Sequence, residues 1–95
     1  MPLFALEYRF SPDPERRLAV RPRHRAYLED LARSGVVRAA GPFGDDDGAL
    51  IIYSLEDEEA LEHILADDPY VQEDVFATRS VREWRPFITS SLAVG

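Results

Sequence analysis

The segment RLAVRPRHRAYLEDLARSGVVRAAGP, residues 17–42, carries a helix, its stop and the strand that follows. Pro22 suits the first turn of a helix, where its missing N–H costs nothing. From there His24, Leu28 and Leu31 recur at i, i+4 and i+7, with Tyr27 and Ala32 beside them, which is amphipathic helical spacing. Gly35 is placed to end the helix, because glycine takes the left-handed conformation found just past a helix C-terminus. VVRAAGPF (36–43) then reads as a strand whose exit is set by Gly41 and Pro42, the glycine letting another backbone approach closely.

Outward from this segment, LFALEYRF (3–10) alternates, with Phe4, Leu6, Tyr8 and Phe10 on one face. SPDPE breaks that strand and GDDDG (44–48) is a turn. ALIIYSL (49–55) is a strand apolar on both faces. DEEALEHILADD (57–68) is a second helix with Asp57 and Glu58 at its positive end and Ala60, Leu61, Ile64 and Leu65 as its buried stripe. PYVQEDV holds one more helical turn, and FATRSVREW (76–84) is the fourth strand. The order β-α-β-β-α-β predicts an α+β, ferredoxin-like domain: an antiparallel four-stranded sheet with both helices on one face. One domain is expected over residues 1–95, with a core over 3–87 and a C-terminal tail over 88–95.

Composition narrows the function classes. The net charge of −7 argues against a nucleic-acid backbone as partner, which needs a positive surface. Cysteine is absent, which excludes disulfides and thiol chemistry. Neither histidine has a partner at ligand spacing, so no metal site is expected. No glycine-rich phosphate or dinucleotide motif is present, and no cofactor is expected. No apolar run reaches the ~18 residues of a membrane span, and the N-terminal stretch lacks the basic start of a signal peptide. A cytoplasmic protein is the expectation. A chain this short buries only about 60–65% of the surface its unfolded form exposes. Together with apolar residues on both sheet faces, this predicts a homodimer that covers the helix-free face.

Residues 17–42 also resemble the YciI-like, or YCII-related, family, whose pattern joins R-L-x-x-R-P-x-H to A-G-P. LADDPYV (65–71) resembles that family's A-D-P-[FY]-V motif, and RPF (85–87) its V-x-P-[FW] ending. Arg25 departs from the family, which often has leucine there; its position on the helix predicts an outward side chain. The resemblance implies a dimeric α+β barrel and a suspected catalytic pair, carried here by His24 and Asp68.

On the residues themselves, His24 shares its helix face with Leu28 and Leu31 and points toward the sheet. An expected place in the first helical turn, among arginines, disfavours the imidazolium and leaves a neutral imidazole able to act as a base. The alternative is a packed histidine. Asp68 continues the inward stripe of the second helix; the alternative is a cap for the turn begun by Pro69. Arg17 and Arg21, four apart, offer forked donors to an anionic substrate. Gly41, Pro42 and Tyr70 complete the candidate substrate-binding set. His63, off the buried stripe, is expected in solvent. Trp84, near a strand end, is either a pocket wall or packing.

Two functions compete at this level. The first is a small enzyme using a His–Asp pair for cofactor-independent isomerisation, elimination or dehydrohalogenation of a small, anionic or aromatic molecule. The second is a non-catalytic dimeric module that binds a small ligand or partner protein.

Overall fold

The computed structural model describes residues 1–89. Its elements are β1 (Leu3–Phe10), α1 (Pro14–Arg33), β2 (Val37–Pro42), β3 (Gly48–Ser54), α2 (Glu58–Ala66), α3 (Pro69–Gln72) and β4 (Phe76–Trp84). The four strands form one antiparallel sheet in the order β2-β3-β1-β4, the ferredoxin-like arrangement expected from the element order. From residue 90 on, the predicted C-terminal tail lies outside the described residues.

The period-2 alternation of β1 sets the core. Phe4, Leu6 and Tyr8 face the helices and pair with Tyr53, Ile51 and Ala49 of β3. Leu61 and Leu65 of α2, Val20 of α1 and Val75 close over them. The helix-free face carries the other half of each strand. Leu3, Ala5, Ala39, Leu50, Ile52 and Trp84 make an apolar strip there, beside the exposed Glu7–Arg82 ion pair. Trp84 is therefore on the side away from the helices and lines no pocket beneath them.

The first helix begins eight residues before the expected start. Asp13 is its N-cap, accepting from the Arg16 amide at 3.1 Å, and Pro14 occupies the first helical position. Pro22 lies inside the helix. It sits on the exposed side, as does Leu18, so the carbonyl that loses its amide donor can be hydrated. The other end is as expected. Gly35 has φ +86°, its amide donates to Ala32 and that of Val36 to Leu31, which is the Schellman closure. The first helix is thus 20 residues long, and His24 lies near its middle, beyond the reach of the N-terminal dipole.

Glycine is required at Gly48, where a Cβ would overlap the Tyr8 carbonyl oxygen across the β1–β3 ladder. At Gly41 a Cβ would meet open space, so the close backbone approach expected there is not made among the described residues.

Candidate active site

Among the described residues, His24 and Asp68, 44 positions apart in the chain, are the buried polar side chains of the core. Their Nδ1 and Oδ1 atoms are 2.7 Å apart. The α1 face that carries His24 packs against the junction of α2 and α3, and this brings the pair together. Asp68 is not the end of α2, as its spacing from Ile64 suggested; α2 closes at Asp67. Asp68 is the N-cap of α3, and its Oδ1 also accepts from the Tyr70 amide at 2.9 Å. Both readings of this residue therefore describe contacts that one oxygen makes at once.

Tyr70 fixes the imidazole from the side. Its ring lies 3.7 Å from that of His24 with the planes 6° apart. With Nδ1 held by the carboxylate, Nε2 is the ring nitrogen left for other partners. His24 lines a cleft of about 520 Å³ between the sheet and α1. Tyr8, Phe10, Ile51 and Tyr70 form its apolar wall, and Ala40, Gly41 and Pro42 of β2 its far side.

The mouth of this cleft is basic. Arg17, Arg21 and Arg25 line it, opposed by Glu29 and Asp46. Among the described residues none of these three arginines has an ion-pair partner, although the chain carries 18 acids and 11 arginines. Their neighbours do have partners: Arg16 pairs with Asp13 and Arg23 with Glu73. Arg17 lies 4.4 Å over the Phe10 ring, and its buried Nε has no acceptor. The cleft thus gathers Arg17, Arg21, Gly41, Pro42 and Tyr70 beside His24. Arg25 is exposed but also reaches the cleft, which its outward position on the helix did not suggest. His63 is exposed, as expected. A smaller hollow of about 290 Å³ lies at the hairpin end of the sheet, and its arginines are occupied, Arg9 by Asp47 and Arg79 by Glu62.

Sequence reading missed how the tyrosines gather. Burial, followed by the Tyr70 hydroxyl and the Asp68 carboxylate, raises the Tyr8 pKa, against a smaller opposite effect of Arg25. Burial and then Asp68 raise that of Tyr53. Tyr27 is pushed up to about 12 by burial, Asp67 and Asp68, and its hydroxyl donates to the Ile64 carbonyl at 2.6 Å. Tyr8 and Tyr53 alternate inward along their strands, which signals core. Nothing in that alternation says that both sense one carboxylate.

A ferredoxin-like domain with a buried histidine–aspartate contact at the floor of a basic-mouthed cleft is the class of protein that fold and site define. The chain belongs to the YCII-related family, whose domain matches residues 2–85. No curated protein matches it. Among solved structures it is similar to 5-chloro-2-hydroxyhydroquinone dehydrochlorinase (TftG) from Burkholderia phenoliruptrix, determined in complex with 2,5-dihydroxybenzoquinone. That likeness has a TM-score of 0.75 and 25% identity, covering 87% of this chain and 93% of that one. A putative antibiotic biosynthesis monooxygenase from Bacteriodes thetaiotaomicron shares the fold, with TM-score 0.65, 17% identity and coverage of 98% and 95%. So does the cofactor-independent oxygenase SnoaB from Streptomyces nogalater, with TM-score 0.52, 17% identity and coverage of 93% and 94%. At those identities the last two likenesses speak to the fold alone.

Proposed function

We propose that the protein is a small acid–base enzyme that needs no cofactor and acts on a small anionic, oxygenated ring. The observation that carries this reading is the 2.7 Å contact between buried His24 Nδ1 and Asp68 Oδ1, with His24 lining the cleft. A carboxylate on Nδ1–H sets the tautomer that leaves the Nε2 lone pair free, and it steadies the imidazolium that forms when Nε2 takes a proton. Arg17 and Arg21 hold the anionic end of the substrate, and Gly41, Pro42 and Tyr70 frame its ring. Tyr8, kept protonated by burial, offers a hydroxyl at the cleft wall.

Elimination is the reaction to test first, because a 25% identical dehydrochlorinase solved with a dihydroxyquinone supports it. His24 Nε2 removes a substrate proton, the electron pair left behind becomes a new π bond, and chloride departs with its bonding pair. One HCl is lost, and no electron acceptor is needed.

The apolar strip on the helix-free face supports a homodimer closed across that face, giving the dimeric α+β barrel that the family resemblance implies.

The test of function is titration with 2,5-dihydroxybenzoquinone, followed by assay of chloride release from chlorinated hydroquinones. Losing one charge-assisted hydrogen bond costs about 1.5–3 kcal/mol, so Arg21→Gln should weaken binding roughly ten- to a hundredfold. Affinity unchanged on replacing both Arg17 and Arg21 would remove the anion site from the proposal. Binding without chloride release from any such ring would favour the non-catalytic module.

A further inference from the structure

Two buried polar atoms in the core lack a partner among the described residues: the hydroxyl of Tyr53 and Oδ2 of Asp68. Both residues are fully buried, at 0% exposure. Oδ1 of Asp68 is already engaged twice, by His24 and by the Tyr70 amide. Its second oxygen is the unserved acceptor of a buried carboxylate, and the Tyr53 hydroxyl is an unserved donor. Leaving either alone would carry the full desolvation penalty of a buried polar group.

Both side chains are sealed in the same core, one an unserved donor and the other an unserved acceptor. Burial first, and then the Asp68 carboxylate, raises the Tyr53 pKa, so the field of that carboxylate reaches the hydroxyl. His24 from α1 and the Tyr70 amide bond the carboxylate; Tyr8 from β1, Tyr27 from α1 and Tyr53 from β3 sense its charge, and Asp67 beside it acts on Tyr27 as well. Tyr27 is spoken for by Ile64, and Tyr8 lines the cleft. Tyr53 is the donor that remains.

We infer that the Tyr53 hydroxyl reaches Asp68 Oδ2 through one bridging water, and so acts as a positioning residue for His24. Resting on the reading of Asp68 as the partner of His24, it extends the pair into a chain Tyr53–Asp68–His24 that runs from the sheet to the cleft. A carboxylate held at both oxygens cannot swing about its own axis, so Oδ1 stays in line with Nδ1. Every member of a buried polar network must be satisfied for the network to hold one geometry.

The experiment needs no substrate, so its outcome is independent of whether the protein is a catalyst. Tyr53→Phe keeps the ring and removes the hydroxyl. It should move the His24 Nδ1–H proton resonance and lower the melting temperature by about 4–8 °C. In an Asp68→Asn background the same change should lower it by clearly less, since the two changes share one contact. A hydroxyl that merely fills space predicts the reverse: an unmoved Nδ1–H resonance and the same melting shift in both backgrounds. Either result overturns the inference. In the unaltered protein, the Tyr53 hydroxyl proton should give a slowly exchanging resonance that shifts in Asp68→Asn. Failure to observe one overturns it too.

Discussion

Replacing Asp68 by alanine and by asparagine should separate what this residue does for stability from what it does for chemistry. Its Oδ1 takes two hydrogen bonds, 2.7 Å from His24 Nδ1 and 2.9 Å from the Tyr70 amide. Alanine removes an N-cap, worth about 1 kcal/mol, and a buried bond to a charged group, worth about 1.5–3 kcal/mol. The expected loss is roughly 3 kcal/mol, a large share of the 5–15 kcal/mol that holds a small domain together. At about 4–8 °C per kcal/mol for a domain of this size, melting should fall by about 12–24 °C. Asparagine is as good a cap as aspartate, and its amide oxygen can still accept from Tyr70, so it should cost within about 1 kcal/mol. With that oxygen still facing Nδ1 as well, what it lacks is the charge that steadies an imidazolium. In a serine-protease triad that exchange costs about 10⁴ in turnover. The assays are thermal melts and ring-nitrogen NMR of His24, joined by turnover once a substrate is found. Asn and Ala variants that melt alike would refute the division of roles. So would an Asn variant that keeps full activity.

Three further outcomes follow from the structure. Burial raises the Tyr8 and Tyr53 pKa values, so the folded state keeps protons that the unfolded chain gives up above about pH 10. The unfolded state then binds fewer protons, and stability, full below about pH 10, should fall as pH climbs toward the raised folded values; urea midpoints that stay flat to about pH 11 would contradict this. Gly48→Ala should cost about 1–3 kcal/mol or more, because its Cβ meets the Tyr8 backbone, which cannot yield, whereas Gly44→Ala meets open space and should be near neutral in the same melts. Sedimentation at micromolar concentration should give a dimer, and substituting Ile52 by aspartate on the helix-free face should dissociate it; a clean monomer of the unaltered chain would reject the interface.

Most of the architecture could be read because each element carries its own period. The alternation of Phe4, Leu6 and Tyr8 and the i, i+3, i+4 stripe of α2 are local properties. The Gly35 stop is local too, and the element order then limits the topology. The start of α1 was misread because two prolines compete for one signal. Pro22 looks like a first-turn residue, but Asp13–Pro14 is the true cap pair, and arginines between them thin out the apolar periodicity. That error moved His24 from mid-helix to a terminus. Asp68 had two readings, the end of α2 by its spacing from Ile64 and the cap of the turn begun by Pro69, and the backbone takes the second. The residue types at the site were legible from their inward positions and the motif resemblance. The reach of the Asp68 charge to Tyr8, Tyr27 and Tyr53 was not, since it arises only where separate elements of the chain converge. Arg25 escaped for a simpler reason: a long side chain rooted on an outer face can still bend over a rim.

The β2–β3 hairpin contributes Pro42 and Asp46 to the cleft, and it stands outside the core that holds His24 and Asp68. Residues 43–47 are exposed, and the Asp46 backbone already sits at φ 57°. Insertions or exchanges there would reshape the rim while leaving the imidazole, its carboxylate and the stacked tyrosine as they are. Under the proposed function, substrate preference would therefore be free to drift on a short surface loop, at little thermodynamic cost, while the His24–Asp68 contact stays under the stricter constraint of packing. Relatives with unlike substrates would then be expected to differ first in that hairpin.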